Sequence, residues 1–210
     1  DLDFKIGEHE TRVRALLTVE PQADTAPGTP LVLDGDGLTL DSIAIDGAPL
    51  VLSAYAADET GLTLIEPPLR RFVLETEVVL EPERNTRLMG LYRSGGTWCT
   101  QCEAEGFRRI TYYLDRPDNL AVFKVRITAP LALAPVLLSN GNLVEQGSAG
   151  EGMHFAVWED PFPKPSYLFA LVAWDLGSIR DSFTTASGRK VDLAIYCSHG
   201  QEEQCLWAMD

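Results

Sequence analysis

Apolar and polar residues alternate along most of this chain. Between residues 12 and 19, Val13, Ala15, Leu17 and Val19 alternate with Arg12, Arg14 and Thr18. Successive side chains of a strand point to opposite faces, so a period of two predicts a half-buried β-strand. The pattern returns at 122–128, where Lys124, Arg126 and Thr128 separate Phe123, Val125 and Ile127. Phe72, Leu74 and Val78 carry it again, as do Val191, Leu193 and Ile195. The apolar runs PLVLSAY (49–55) and YLFALVAW (167–174) predict more deeply buried strands. Asp-Gly in LDGDGLTL and AIDGAPL, and Asn-Gly in LSNGNLVEQG, are hairpin cues between such runs. DPFPKPSY, with Pro161, Pro163 and Pro165, predicts a stiff extended lead-in to the strand at 167. Many short strands at this spacing predict an all-β fold of large, mostly antiparallel sheets, a sandwich or saddle.

Only two stretches look helical. One is a short segment after Glu103. The other is the end of the chain, where Glu202 and Glu203 precede Cys205, Leu206, Trp207 and Met209. Acidic residues suit a helix N-terminus, and this helix has no partner in view. The chain is therefore expected to be a piece of a longer polypeptide.

The 210 residues carry 17 basic and 31 acidic side chains, a net charge of −14. A surface that negative disfavours nucleic acid and anionic lipid as partners. No apolar run approaches the roughly 20 residues of a membrane-spanning helix. DLDFKIGEHE lacks the layout of a signal peptide. Four cysteines are too few for a disulfide scaffold, so a reducing cytoplasm is the expected location.

Candidate chemistry centres on GTWCTQCEAEGFRR, residues 96–109. Cys99 and Cys102 have the spacing of one zinc knuckle, but Cys197 and Cys205 lie eight apart and do not form the second. A thioredoxin-like redox pair needs a βαβ setting, which is missing here. DGDG (34–37) lacks the remaining ligands of an EF-hand loop and is explained by a tight turn. His9, His154 and His199 stand in unrelated contexts, with no G-x-S-x-G, P-loop or G-x-G-x-x-G in the chain. The residues alone describe an acidic, mostly β domain without a complete catalytic constellation.

The stretch GLYRSGGTWCTQCEAEGFRRITYYLDRPDNLAVFKVRITA (90–129), with LLSNGNLVEQG and DPFPKPSYLFALVAWDLGSIRDSFTT, resembles the bacterial aminopeptidase N family of zinc metallo-aminopeptidases. The resemblance covers most of the chain and is looser over the first sixty residues. It implies that residues 1–196 are the family's N-terminal β domain and that 197–210 open the linker to a catalytic domain. The family's H-E-x-x-H zinc motif and G-A-M-E-N segment do not occur here. The resemblance therefore implies no catalytic residue, metal ligand or cofactor in this chain. Zinc belongs to the parent's catalytic domain, and this domain is expected to pack on that domain and to be inactive alone.

By the same resemblance, Gln101 and Glu103 bind the free amino group of a peptide substrate. A peptide α-amino group has a pKa near 8 and is largely cationic at neutral pH, so a carboxylate can hold it by a charge-assisted hydrogen bond. The residues by themselves favour a plainer role for Glu103, capping the short helix and pairing with Arg108 or Arg109. Arg108, Arg109, Asp115 and Arg116 read as a structural ion-pair network, and Tyr112 and Tyr113 as core or interface aromatics. The competing reading of the whole chain is a stand-alone acidic β-sandwich that binds a basic partner.

Overall fold

A computed structural model describes residues 1–209 as an all-β protein. The strands are β1 (Leu2–Ile6), β2 (Thr11–Val19), β3 (Leu31–Asp34), β4 (Thr39–Ile45), β5 (Ala48–Pro49) and β6 (Tyr55–Asp58). Then come β7 (Gly61–Leu64), β8 (Phe72–Leu80), β9 (Gly90–Ser94), β10 (Thr97–Gln101), β11 (Ala121–Pro130) and β12 (Val136–Ser139). The last are β13 (Asn142–Gly150), β14 (Met153–Lys164), β15 (Leu171–Trp174), β16 (Gly177–Thr184) and β17 (Lys190–Cys197).

Eight strands form one sheet in the order β13-β14-β11-β1-β2-β8-β4-β5. A second sheet runs β12-β15-β10-β9, a third β3-β7-β6, and β16 and β17 form a separate hairpin. Among the described residues every pairing is antiparallel except β1 with β11, where Leu2 lies opposite Val125 and Lys5 opposite Thr128. One core joins the first three sheets. Phe4, Val13, Leu74 and Ile127 enter it from the large sheet, Trp98 and Leu171 from the second, and Leu33 and Leu62 from the third.

The alternation maps onto burial in the large sheet but not in β17, where Leu193 is exposed and Val191 and Ile195 are only half-buried. Val13, Ala15, Phe72, Leu74, Val78, Val125 and Ile127 are all buried, while Arg14 and Lys124 are exposed. β8 continues the pattern through Thr76, which is fully buried with its hydroxyl 3.4 Å from that of Thr111.

Three local expectations come out differently. The run 49–55 is no buried strand: it contains a 3₁₀ turn at Leu52–Ala54, and Val51 and Leu52 are 67% and 82% exposed. The run 167–174 is strand only over Leu171–Trp174, after a 3₁₀ turn at Ser166–Leu168. Residues 160–164 end β14 and pair with β11, instead of leading into β15. The prolines are tolerated because this part of β14 is a sheet margin.

The hairpin cues divide. Asp46-Gly47 turns β4 back on β5, both residues having positive φ (50° and 79°). This is the geometry of a type I′ hairpin turn. Asp34–Gly37 and Asn140-Gly141 instead carry the chain from one sheet to another. At Gly141 a Cβ would stand 2.2 Å from the Glu159 carbonyl oxygen, so glycine serves close approach there. The helical segment after Glu103 is a single 3₁₀ turn, Phe107–Arg109. At the end of the chain a 3₁₀ turn over Glu202–Cys205 runs into the four-residue helix Leu206–Met209.

Candidate functional site

Gln101 is the last residue of β10, and the chain leaves the sheet there in a tight loop that returns at Gly106. The Gly106 N–H donates to the Cys102 carbonyl at 2.9 Å and closes the loop. Cys102, 2% exposed, points into the core. Its neighbours Gln101 and Glu103 therefore both project outward, and both are exposed. The Gln101 Nε2 donates to the backbone carbonyl of Glu103 at 2.9 Å. That bond commits the amide nitrogen and orients the amide, leaving its oxygen as an outward acceptor.

Two glycines let the loop lie this close to the sheet. A Cβ on Gly106 would fall 2.3 Å from the Gln101 carbonyl oxygen and 3.0 Å from the Cys102 Cα. Gly90, opposite Gln101 on β9, has φ 72° and sits against Gly106 and Arg109.

Behind the loop, Phe107 and Ile110 are fully buried and tie the 3₁₀ turn to the core. Phe107 meets Tyr113, Phe123 and Phe169 edge-on at 5.0, 5.8 and 5.3 Å between centroids. Arg108 donates from its backbone N–H and from Nε to one oxygen of Asp115, at 3.1 and 3.0 Å. Its Nη2 donates to the Asp115 carbonyl at 3.0 Å. Asp115 is 3% exposed, and its other oxygen accepts from the Ser166 hydroxyl. Arg109 pairs with Asp36 at 2.6 Å, and Asp36 also takes Arg87.

The expected ion-pair network is thus present for Arg108, Arg109 and Asp115. Arg116 stands outside it, paired with its near neighbour Asp118 on the surface. Asp34 and Asp36 are members that sequence reasoning assigned only to a turn. Their signal was two acids in one loop and two adjacent arginines in another.

The plainer role for Glu103 is not what the structure contains. The 3₁₀ turn has Gly106 at its N-terminal boundary with no side-chain cap, and the acid paired with Arg108 in this loop is Glu105, at 2.9 Å. Among the described residues Glu103 has no salt bridge, although two arginines lie five and six positions on.

The residues from Thr97 to Arg109 therefore form an exposed carboxylate and amide on a loop that is bolted down from behind. Residues 1–168 match the Peptidase M1 N-terminal domain. The chain belongs to the M1 peptidase family. It is 52% identical to aminopeptidase N of Caulobacter vibrioides over 202 residues, covering 96% of this chain and 23% of that protein. To aminopeptidase N of Escherichia coli it is 47% identical over 209 residues, covering 100% of this chain and 23% of that protein. The crystal structure of Legionella pneumophila aminopeptidase A in complex with aspartic acid superposes with a TM-score of 0.89. That match has 36% identity over 99% of this chain and 25% of that one. An M1 zinc metallopeptidase from Deinococcus radiodurans, 20% identical with a TM-score of 0.78, shares the fold. The chain spans about a quarter of the length of its aminopeptidase N relatives.

Within this M1 domain the C-x-x-C spacing does not bring two thiols together. Cys102 lies on the core side with Trp98, whereas Cys99 faces the other way beside its cross-strand partner Tyr92. Burial pushes the Cys102 thiol up to about 12, with the Asp115 carboxylate adding to it. Burial also raises the Cys99 thiol, against a hydrogen bond from Tyr92 that lowers it. Both are therefore poor thiolate ligands at neutral pH. The histidines are dispersed. His9 lies near Glu83, His154 bonds the Ala134 carbonyl at 2.7 Å, and His199 bonds Asp175 at 2.9 Å. Among the described residues no three His, Cys, Asp or Glu groups converge on a common point.

Proposed function

We propose that this M1 domain supplies the grip for a peptide's free amino group, with Glu103 as the anionic contact and Gln101 as the neutral one. The observation that carries the reading is the exposed Glu103 carboxylate, left without a basic partner beside two arginines that are committed elsewhere. A protonated amine brought against it gains a charge-assisted hydrogen bond. The Gln101 amide oxygen, oriented by its own nitrogen's bond to Glu103, offers a second acceptor.

A rigid grip suits an exopeptidase. Fixing the amine at a set distance from the reacting carbonyl makes the enzyme count one residue from the N-terminus, and orientation of this kind lowers the barrier as well as improving binding. The zinc and the hydrolytic residues belong, in this reading, to a further domain of the same polypeptide on which this one packs, beginning with the segment 197–210. The domain alone then hydrolyses no peptide. The names of the aminopeptidase N relatives support the substrate class.

The test is Glu103→Ala in the full-length polypeptide, assayed on amino-acid anilides. Losing a hydrogen bond to a charged group costs about 1.5–3 kcal/mol, so kcat/KM falls by roughly 10- to 100-fold. Glu105→Ala, which removes an exposed partner of Arg108, changes it less than about threefold. A Glu103→Ala enzyme with wild-type kcat/KM defeats the proposal.

A further inference from the structure

β10 carries the Gln101–Glu103 loop at its end, and its two neighbours release it at different places. Against β9 the register holds through Thr100 opposite Leu91 to Gln101 opposite Gly90. Against β15 it stops earlier, at Cys99 opposite Val172. The next rung would join the backbones of Thr100 and Leu171. Instead the Leu171 N–H donates to the Thr100 hydroxyl at 2.8 Å, and that hydroxyl donates to the Leu171 carbonyl at 3.4 Å. One side chain takes both backbone groups of Leu171.

β15 begins in the same way on its other side. The Ala170 N–H donates to the Asn140 Oδ1 at 2.7 Å, and the Ala170 carbonyl accepts from the Ser139 hydroxyl at 2.8 Å. The start of β15 is thus bordered by side chains on both flanks. Leu171 is itself a fixed point, with its side chain fully buried in the core. Strands bonded backbone to backbone lie about 4.8 Å apart. With a hydroxyl between them the two backbones stand further apart, so β10 leaves β15 while still paired to β9. That divergence falls at the residue before Gln101.

We propose that Thr100 is a positioning residue for the amino-group grip, its hydroxyl a spacer that sets where β10 delivers Gln101 and Glu103. The inference rests on the grip proposed above, and Thr100 itself touches no substrate. Burial of Cys102 fixes which way the loop faces, and Thr100 fixes where it starts. The spacer needs both a lone pair and a proton, because it accepts from one backbone group and donates to the other. Valine has the same shape and makes neither bond. The freed Leu171 N–H and C=O then draw β10 toward a direct rung, since buried backbone groups seek partners, and Gln101 and Glu103 shift with it. Serine keeps both bonds and loses only the stiffness of the branched side chain.

A double-mutant cycle in the full-length polypeptide tests this, with amino-acid anilides as substrates and each variant assayed well below its melting temperature. Thr100→Val lowers kcat/KM by about tenfold or more, as a misplaced positioning group does. Thr100→Ser stays within about threefold of wild type, the cost of a looser rotamer. Added to Glu103→Ala, Thr100→Val changes kcat/KM by less than about twofold, because residues acting through one contact are not additive. Thr100→Ala, which also lacks the hydroxyl, takes the place of Thr100→Val in the cycle if the valine variant does not fold. Three results overturn the inference and leave the grip standing: wild-type kcat/KM without the hydroxyl, a serine variant no better than valine, or a loss that recurs in full beside Glu103→Ala. Wild-type kcat/KM for Glu103→Ala alone defeats the grip, and the inference with it.

Discussion

Arg108 holds Asp115 through three hydrogen bonds, two to one carboxylate oxygen and one to the backbone carbonyl. Asp115 is 3% exposed and the Arg108 side chain 21%, so this pair is screened far less than the surface bridges around it. It joins the turn behind the Gln101–Glu103 loop to the chain ahead of β11. Asp115→Ala removes the carboxylate from the Arg108 Nε and backbone N–H and from the Ser166 hydroxyl, while the Arg108 Nη2 keeps Glu105 and the carbonyl of residue 115. Removing one partner of a fully buried pair costs about 3–5 kcal/mol, and part exposure of Arg108 brings this to about 2–3. Urea denaturation of the domain checks it, the midpoint falling with an unchanged m-value.

Phe107 carries the loop from beneath. It is fully buried against three aromatic rings, so Phe107→Ala removes packing from the whole cluster and leaves a cavity. The expected loss is about 3–5 kcal/mol. Phe107→Leu, which refills much of that space, loses less than half as much in the same denaturation experiment.

Gly106→Ala tests the loop's close approach. Its φ of −103° is open to any residue, so the penalty is steric, from a Cβ 2.3 Å from the Gln101 carbonyl oxygen. The loop has to move, and Gln101 and Glu103 move with it. The expected result in the full-length polypeptide is a loss of kcat/KM of about tenfold or more with a smaller change in melting temperature. An unaltered kcat/KM shows that the loop accepts the methyl group.

Alkaline pH is expected to destabilise the domain through two buried acids. Burial raises Cys102 from 9.0 to about 12 and Tyr113 from 10.0 to about 12. Both folded-state values lie above the unfolded ones, so the unfolded chain releases protons first as pH rises. Stability is complete below about pH 9 and falls progressively between pH 9 and about 12. Denaturation midpoints across that range check the sign. Cys102→Ala removes the cysteine share of the slope and leaves that of Tyr113. For the same reason Cys102 in the folded protein does not react with a thiol reagent at pH 8.

What could be read from residues alone follows the range of the forces involved. Alternation at 12–19, 72–78 and 122–128 is a local property, and each run is a strand whose core-facing apolar members are buried or half-buried. The run at 49–55 misled because apolar composition without alternation says nothing about which side is covered. Leu52 is exposed in a 3₁₀ turn, and a turn residue has no sheet face to bury. Asp46-Gly47 and Asn140-Gly141 carry the same turn chemistry, yet only the first joins paired strands. Turn residues specify a change of direction, and whether the next strand pairs back or crosses to another sheet depends on distant partners.

The loop shows the same division. Gln101 and Glu103 were legible only through resemblance, because two polar residues flanking a cysteine carry no chemistry of their own. Their outward direction follows from one tertiary fact, the burial of Cys102, which turns both neighbours toward solvent. Arg108 and Arg109 were visible as charges, but their partners Asp34, Asp36 and Asp115 are supplied by other segments.

The sequence by itself determined the strands, because side-chain period and turn chemistry act over a few residues. Tertiary structure decided which strands share a sheet, including the parallel pairing of β1 with β11 across some 120 positions. It also decided that the arginines near Glu103 are taken by other acids, because charges pair with whatever the fold brings within about 4 Å. An unpartnered carboxylate is a relation between segments, and no single stretch of sequence contains it.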